Sequence, residues 1–261
     1  MERITSRQNS VVAQYRAAAR GETGDVLLLD GAHLVSDALA ARIPLQHVMV
    51  AAESQESSDI QPLLARAVAQ FTTVVVASAK VMEAASPVRS TSPIIALANR
   101  NKLASDVYSV RQPFVLIACD VQDPGNVGAI ARVAEAAGAS GLIAAGRSAD
   151  PLGWKALRGS MGSALRLPIA SRANVEEAVA EAQHHRCRIV ATLPRGGTPL
   201  NASDLRAPIA ILIGGEGHGL PATVIDTAEV RITIPMEPPV ESLNAAVTAA
   251  LVAYEARRQR G

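Results

Sequence analysis

Apolar and polar positions alternate along most of the chain with two periods, one typical of strands and one typical of helices. Runs of apolar or β-branched residues predict strands at 26–29, 47–51, 72–77, 92–98, 114–119, 141–145, 188–193, 209–213 and just before Pro235. Helical periodicity predicts helices at 10–20, 32–42, 59–70, from about 126, at 174–184 and from the loop after Pro235 to Arg258. Strands that alternate with helices are typical of an α/β protein.

A polar stretch near the middle of the chain, residues 99–112, separates two series of these elements. Because 261 residues exceed one typical domain, we predict a small α/β domain over 1–100, a linker over 101–112 and a second α/β domain over 113–261. The segment 154–162 is richer in glycine than a stable helix tolerates, so no stable helix is expected there.

Three loops that follow predicted strands carry polar groups suited to binding a ligand. The first contains Asn126 and leads to Arg132, the second surrounds Glu216 with four glycines, and the third brings Ser242 and Asn244 to the start of the terminal helix. Glycines let the backbone approach a ligand closely, and the N–H groups of a helix start favour an anion. Ligands in open α/β sheets bind at the carboxyl ends of the strands, so the three loops should converge on one site.

Simpler interpretations of these loops remain open. Ser242 is also a suitable N-cap for the terminal helix, with Asn244 in its first turn, and Glu216 is also compatible with a solvated loop carboxylate. A glycine-rich turn after a strand also suggests dinucleotide binding. Neither the loop at 123–128 nor the loop at 214–219 satisfies G-x-G-x-x-G, which makes a nicotinamide enzyme the weaker alternative.

Composition narrows the classes of function. The formal net charge is +1, so binding to nucleic acid requires a local basic patch, and the 2% aromatic content argues against binding single strands by base stacking. With two cysteines, neither a disulfide framework nor a Cys-rich zinc site is expected. The chain shows no apolar signal segment at its start and no apolar run long enough for a bilayer, so we expect a cytoplasmic protein without membrane segments.

The three loops resemble, in chain order, the three signature motifs of one enzyme family. The family is that of the SpoU (TrmH) RNA ribose 2′-O-methyltransferases of the SPOUT superfamily, and the resemblance covers residues from about 113 to 258. It is carried by Asp123-Pro124-Gly125-Asn126-Val127-Gly128 through Arg132, by Ile213-Gly214-Gly215-Glu216-Gly217-His218-Gly219-Leu220, and by Ile234-Pro235-Met236 through Glu241-Ser242-Leu243-Asn244.

This resemblance implies a fold, a cofactor and a set of site residues. The implied catalytic domain is a SPOUT-type α/β domain with a deep trefoil knot that forms a homodimer, uses S-adenosylmethionine as methyl donor and follows a small RNA-binding domain. The implied catalytic residues are Asn126, Arg132, Glu216, Ser242 and Asn244. The implied cofactor-binding residues are Leu193, Gly215, Gly217, Ile234, Met236 and Leu243.

The sequence departs from the family pattern at two places. Pro238 stands where family members often have glycine, which affects the shape of the cofactor loop. Ala245-Ala246 stands where they often have Val-Ser, which affects the first turn of the terminal helix.

Methyl transfer to a ribose hydroxyl requires two positioned partners and stabilisation of negative charge on the oxygen, and it requires no metal. In this family, proton removal is assigned to the arginine of the first motif, which is Arg132 in this sequence. Because arginine is almost always protonated in proteins, we favour a role in holding a phosphate and stabilising the oxyanion. Glu216 and Asn244 are expected to orient Arg132 or the ribose, and Ser242 to fix the loop or the hydroxyl.

Ribosomal RNA is the preferred target, because of the amino-terminal domain and because no long basic carboxyl-terminal tail is present. Transfer RNA is the second choice. A non-catalytic RNA-binding relative is a further alternative, but such a protein is expected to lack one of the catalytic polar residues, and this chain has them all.

Other charged residues and the terminal helix give weaker indications. Arg3, Arg7, Arg16 and Arg20 could line one basic surface, although scattered solvated charges are the commoner explanation. The histidines at 33, 184 and 185 are interpreted as surface residues.

The terminal helix is apolar nearly all round, so other elements must cover it on several sides. Because members of the family form homodimers, we predict a dimer formed by the second domain alone.

Overall fold

The structure is a computed structural model that describes residues 2–100, 105–217 and 219–261. Four residues of the predicted linker, 101–104, and His218 of the glycine-rich loop lie outside the described residues. The chain divides into two compact units. The first contains the described residues of Met1–Leu103 and Leu152–Leu165, and the second contains those of Ala104–Pro151 and Arg166–Gly261.

The elements alternate between strands and helices along the chain. The strands are β1 (Glu2–Ile4), β2 (Val26–Asp30), β3 (Leu45–Ala51), β4 (Thr73–Ala77), β5 (Ile94–Asn99), β6 (Phe114–Cys119), β7 (Gly141–Ala145), β8 (Ile169–Arg172), β9 (Arg188–Leu193), β10 (Thr198–Pro199), β11 (Ile209–Gly214) and β12 (Val230–Thr233). The α-helices are α1 (Ser10–Arg20), α2 (Ala32–Ala40), α3 (Gln61–Ala69), α4 (Ala79–Ala85), α5 (Pro124–Ala137), α6 (Trp154–Ser160), α7 (Val175–His184), α8 (Ala222–Asp226) and α9 (Ala245–Arg260).

The first unit is built on a mixed five-stranded sheet in the order β1-β4-β3-β5-β2. Strand β5 runs antiparallel to both β2 and β3, and the other pairs are parallel. Tyr15 of α1 is completely buried against this sheet, and its hydroxyl donates to the carbonyls of His47 and Ile95. Helix α6 contributes Trp154 to the same apolar core.

The second unit is built on a seven-stranded parallel sheet in the order β10-β12-β9-β11-β6-β7-β8. Its central strands β6 and β11 are buried along nearly their whole length, which explains why both consist almost entirely of apolar residues. Because all pairs are parallel, the carboxyl ends of the strands share one edge of the sheet.

The helix that follows β6 has a well-defined start and end. The Asp123 carboxylate accepts from the N–H of Asn126 at 2.8 Å, and Pro124 occupies the first turn, where a missing N–H costs no hydrogen bond. Gly138 ends the helix in the left-handed conformation, with φ of 78°. This start places Asn126 in the first turn of α5, at the carboxyl edge of the sheet.

The strands and helices predicted from periodicity are confirmed, with shifts of a few residues at their ends. The strands β1, β8 and β10 and the helix α4 were not predicted. The prediction that 154–162 forms no stable helix was wrong, because α6 buries Ala156 and Leu157 and ends at Met161 and Gly162 in left-handed conformations. Burial in the core outweighs the low helix propensity of its glycine. This segment also belongs to the first unit, whereas the sequence prediction placed all of 113–261 in one domain.

In the part of the chain that the structure describes, no helix is both long enough and apolar enough to cross a membrane.

Candidate active site

Three loops meet at the carboxyl edge of the parallel sheet in the second unit. The loop after β6 leads into α5, the turn after β11 contains Glu216, and the segment 234–244 connects β12 to α9. β11 lies directly between β6 and β9, and β12 lies on the other side of β9. The strands that precede these loops are therefore neighbours in the sheet.

A cavity of about 520 Å³ opens between the loop after β9, the turn after β11 and the segment before α9. Its walls include the apolar side chains of Leu220, Ile232 and Leu243, and its polar groups include Thr192 and Thr248. This volume is within the range of about 300–1,000 Å³ that is usual for sites that bind small molecules. Apolar walls with a few hydroxyl and backbone groups suit a ligand that contains a nucleobase.

All of the predicted cofactor-binding residues line this cavity. They are Leu193, Gly215, Gly217, Ile234, Met236 and Leu243. Three of the predicted catalytic residues also line it, namely Glu216, Ser242 and Asn244. The other two, Asn126 and Arg132, do not belong to its lining.

Side-chain hydrogen bonds join the three loops through Asn126. Its Oδ1 accepts from Asn244 Nδ2 at 3.0 Å, and its Nδ2 donates to Glu216 Oε1 in a short contact. Asn244 Oδ1 in turn accepts from the N–H groups of Ala246 at 2.8 Å and Val247 at 3.3 Å. Because the helix start fixes Asn244 Oδ1, Asn244 Nδ2 faces Asn126. The side-chain amides of Asn244 and Asn126 therefore each have only one orientation that makes these hydrogen bonds. We call this series, Asn244 to Asn126 to Glu216, the amide chain.

The N-cap of α9 is Asn244, and the helix begins at Ala245. The alternative in which Ser242 caps the helix was therefore wrong. A carboxamide in the N-cap position satisfies two N–H groups of the first turn. Ser242 is exposed two residues earlier and has no hydrogen-bond partner among the described residues. Its hydroxyl remains available at the wall of the cavity.

Arg132 lies on α5, six residues after Asn126. In an α-helix, six residues correspond to about 9 Å along the axis and about 120° around it. The side chain is exposed, and it makes no hydrogen bond or ion pair with another residue that the structure describes. The structure thus does not join Arg132 to the amide chain, and its guanidinium is free to meet an anionic ligand.

The turn around Gly215 packs tightly on the loop after β6. A Cβ at Gly215 would lie 2.1 Å from the carbonyl oxygen of Asp120, so no side chain fits there. The N–H of Gly215 donates to the carbonyl of Cys119 at 2.8 Å.

Burial raises the pKa of the Cys119 thiol, so this cysteine stays neutral and is no nucleophile.

Sequence reasoning missed several residues of the cavity wall. Thr192 and Ile232 lie near the ends of predicted strands, one position before Leu193 and two positions before Ile234. Thr248 and Val252 follow Asn244 at intervals of four residues, so they share one face of α9 with it. That spacing in the predicted terminal helix was the signal that could have identified them.

The arginines and histidines considered as ligand contacts elsewhere in the chain lie in different surroundings. Arg16 donates to the carbonyl of Ala84, and Arg20 pairs with Glu22, so this part of the suggested basic surface already has partners. His185 stacks on Tyr108, with ring centroids 4.3 Å apart. His33 is an exposed residue of α2.

Comparison with known proteins gives consistent matches over the chain. The model of the SpoU rRNA methylase family matches residues 113–254. An uncharacterised tRNA/rRNA methyltransferase of Synechocystis is 34% identical over 98% of this chain and 94% of its own length. The 23S rRNA (guanosine(2553)-2′-O)-methyltransferase of Bacillus subtilis is 27% identical over 98% of this chain and 100% of its own length.

A solved structure matches nearly the whole chain, as the two relatives do. The AdoMet-bound rRNA methyltransferase from Sinorhizobium meliloti superposes with a TM-score of 0.85 and 27% identity, covering 98% of this chain and 97% of the other. The matched residues 113–254 include all three loops of the site and the amide chain that joins them. The chain therefore belongs to the SpoU rRNA methylase family.

Proposed function

We propose that this protein methylates a ribose 2′-hydroxyl of ribosomal RNA. The coarser activity follows from its family: it is an RNA methyltransferase that uses S-adenosylmethionine. The observation that carries the finer proposal is the amide chain, which holds the Glu216 carboxylate in one orientation at the wall of the cavity. The Bacillus subtilis relative, which is named as a ribose methyltransferase of 23S rRNA, supports the choice of atom and RNA.

The residues of the cavity fit S-adenosylmethionine. Its volume of about 520 Å³ suits a nucleoside with an amino-acid side arm, and its apolar walls suit the adenine ring. Gly217 and Gly219 adopt positive φ values and a Cβ on either would meet no atom within 4 Å, so the turn presents open backbone to a ligand. Leu193, Ile234, Met236 and the other predicted cofactor residues would hold the group.

When bound, this cofactor supplies an electrophilic methyl group to the ribose oxygen. The residues of the site must hold the hydroxyl in line and favour negative charge on its oxygen. One carboxylate oxygen of Glu216 accepts from Asn126, and the other is free to accept a hydrogen bond from the ribose. The exposed Arg132 binds the neighbouring phosphate and stabilises the ribose oxygen as its proton passes to solvent water; the cofactor without its methyl group is the second product.

We further propose that two copies pair through the second unit. The α9 residues Val247, Leu251 and Tyr254 are 47%, 43% and 52% exposed, and their spacing places them on one face of the helix. Ile234 and Pro235 border a groove of about 650 Å³ beside the same helix. A second copy is the proposed cover for this apolar surface.

A knotted path of the carboxyl-terminal segment is also proposed. Strand β12 lies beyond β9 in the sheet, whereas α9 packs against α5, the helix that follows β6. The segment 234–244 must therefore return across the carboxyl edge of β9 and β11. This return supports a path in which the end of the chain is threaded through an earlier loop.

Methyl transfer to two kinds of RNA tests the proposed function. The full-length protein is incubated with methyl-labelled S-adenosylmethionine and either a modification-free 23S ribosomal RNA transcript or transfer RNA transcripts. Labelling of the ribosomal RNA supports the proposal, and labelling of transfer RNA alone would overturn the assigned target. Binding of the cofactor and of RNA without labelling of either would indicate a non-catalytic relative.

A further inference from the structure

Phe71, which lies just after α3, is the most exposed large apolar side chain that the structure describes. It is 98% exposed, in a chain that has only two phenylalanines, and the other, Phe114, is buried in the central sheet. Val68, in the last turn of α3, is 54% exposed. Neither side chain is covered by another part of the described chain, so Phe71 leaves an apolar surface on the first unit.

The backbone at Phe71 makes this exposure unusual. Its φ is 59°, in the left-handed region, where glycine is the residue normally found after a helix. The N–H of Thr72 donates to the carbonyl of Ala67 at 2.9 Å, which is the bond that closes such a helix end. A bulky side chain here is strained, and it makes no contact in the folded chain that could offset the strain. The position therefore carries a phenylalanine that no contact within the first unit accounts for.

A second helix ends beside the first in the same manner. Arg42 follows α2 with φ of 54°, and it is also exposed. The side-chain Nε2 of Gln70 donates to the carbonyl of Leu39 at 3.1 Å, so the ends of α2 and α3 are adjacent. Two neighbouring helix ends thus present an arginine and a phenylalanine where glycine would be less strained.

Arginine side chains lie near both helix ends. Arg42 and Arg66 are exposed, and the structure gives neither guanidinium a hydrogen bond or an ion pair with a described residue. The carbonyl groups at a helix end carry partial negative charge, which by itself disfavours a phosphate. The two unpaired arginines reverse that preference and make the surface complementary to a polyanion.

We infer that the substrate RNA binds to this surface by stacking an unpaired base on Phe71, with flanking phosphates held by Arg42 and Arg66. This surface, defined by Arg42, Arg66 and Phe71, is called the stacking surface. An exposed aromatic ring beside arginines is the combination by which proteins bind unpaired nucleotides. The inference rests on the proposed function, because it assigns a contact to the RNA that the enzyme methylates.

This inference differs from one expectation based on composition. The low aromatic content argues against recognition by base stacking, because a chain with few aromatic residues is not expected to expose a row of rings on which several bases stack. A single ring in a strained, fully exposed position is sufficient for one base. Removal of such a contact typically lowers affinity for RNA by about 5- to 150-fold.

Substitution of Phe71 separates stacking from other roles. Phe71→Ala and Phe71→Leu should each weaken binding of a modification-free 23S ribosomal RNA transcript by on the order of tenfold, measured by filter binding, without changing the Kd for S-adenosylmethionine. Phe71→Trp should retain affinity, and its added fluorescence should be quenched when RNA binds. Retention of full RNA affinity in Phe71→Leu would show that RNA binding needs no aromatic ring at this position, and would overturn the inference.

Phe71→Gly gives opposite changes in stability and in binding. Relief of the left-handed strain without loss of buried area should raise the melting temperature by about 2 to 4 °C, while RNA affinity falls as in Phe71→Ala. Arg186→Gly is the matched control, because Arg186 is an exposed residue with φ of 57° at the end of α7 in the second unit. It should also be stabilised, with unchanged RNA affinity.

The possible failures can be told apart. If the unaltered protein neither binds nor methylates RNA, the proposed function fails and this inference fails with it. If the unaltered protein does both and Phe71→Ala and Phe71→Gly equal it in RNA affinity, the proposed function stands and the stacking surface is disproved.

Discussion

Substitution of Asn126 by aspartate should make the activity fall as pH rises, relative to the activity of the unaltered protein. Asn126 Nδ2 is a donor to Glu216 Oε1, and aspartate replaces that donor by a carboxylate oxygen. At neutral pH, two like charges then face each other at hydrogen-bond distance. At lower pH, one proton shared between the two carboxyl groups restores a donor at the same position.

The size of the effect follows from Coulomb's law. Two unit charges about 4 Å apart repel by about 1 kcal/mol in water and by about 4 kcal/mol at an effective dielectric constant near 20. Glu216 is exposed, so we take an intermediate value of about 2 kcal/mol, which corresponds to about a 30-fold loss of kcat/KM at pH 8. The same repulsion should place the midpoint of recovery about one to two pH units above that of an ordinary carboxyl group. The protonated pair carries the function, so activity is present below this midpoint and is lost as pH rises through it.

The assay is methyl transfer to RNA from pH 5 to pH 8.5 for three proteins. Asn126→Asp should lose activity relative to the unaltered protein as pH rises. Asn126→Ala also loses the link between Glu216 and Asn244 but introduces no ionisable group, so it should be impaired by a similar factor at every pH. Identical pH profiles for the two variants, both parallel to that of the unaltered protein, would refute the reasoning from the amide chain.

Three further predictions concern other parts of the molecule. Arg132→Ala should lower turnover by on the order of 10²-fold with little change in the Kd of S-adenosylmethionine. Arg132→Lys should also have low turnover, because the point charge of an ammonium group cannot replace the planar guanidinium. Near-normal turnover of Arg132→Ala would remove Arg132 from the site. Leu251→Glu should give a monomer by light scattering, whereas Val110→Glu, at a similarly exposed apolar position, should leave the dimer intact; a Leu251→Glu dimer would disprove pairing through α9. Arg158→Met should destabilise the first unit by about 2 kcal/mol in urea, because it leaves the fully buried side chain of Asp30 without its partner at 2.7 Å, and adding Asp30→Asn should recover most of this loss.

Local chemistry allowed much of the fold to be predicted. The two-face apolar runs of β6 and β11 match their burial in the middle of a parallel sheet. Gly21 ends α1 in the left-handed conformation, as the end of the helical pattern indicated. The motif resemblance identified the residues around the cavity, since all the predicted cofactor residues line it.

Contacts between distant parts of the chain could not be predicted in the same way. The hydrogen bonds of Asn126 connect it with residues 90 and 118 positions away, so no local pattern indicates them. Helix α6 forms although its glycine disfavours it, because Ala156 and Leu157 are buried in the first unit. The exposure of Phe71 also depends on the tertiary structure, because the sequence alone does not tell a buried phenylalanine from an exposed one.

The position of the transferred methyl group tests the central claim most directly. RNA that has been incubated with the protein and with S-adenosylmethionine carrying a deuterated methyl group is digested to nucleosides and fragmented in a mass spectrometer. We predict that the deuterium remains with the ribose fragment after the bond to the base is cleaved, and that Asn126→Ala greatly reduces this signal. Deuterium on the base fragment would contradict the assignment of this site to ribose 2′-O-methylation.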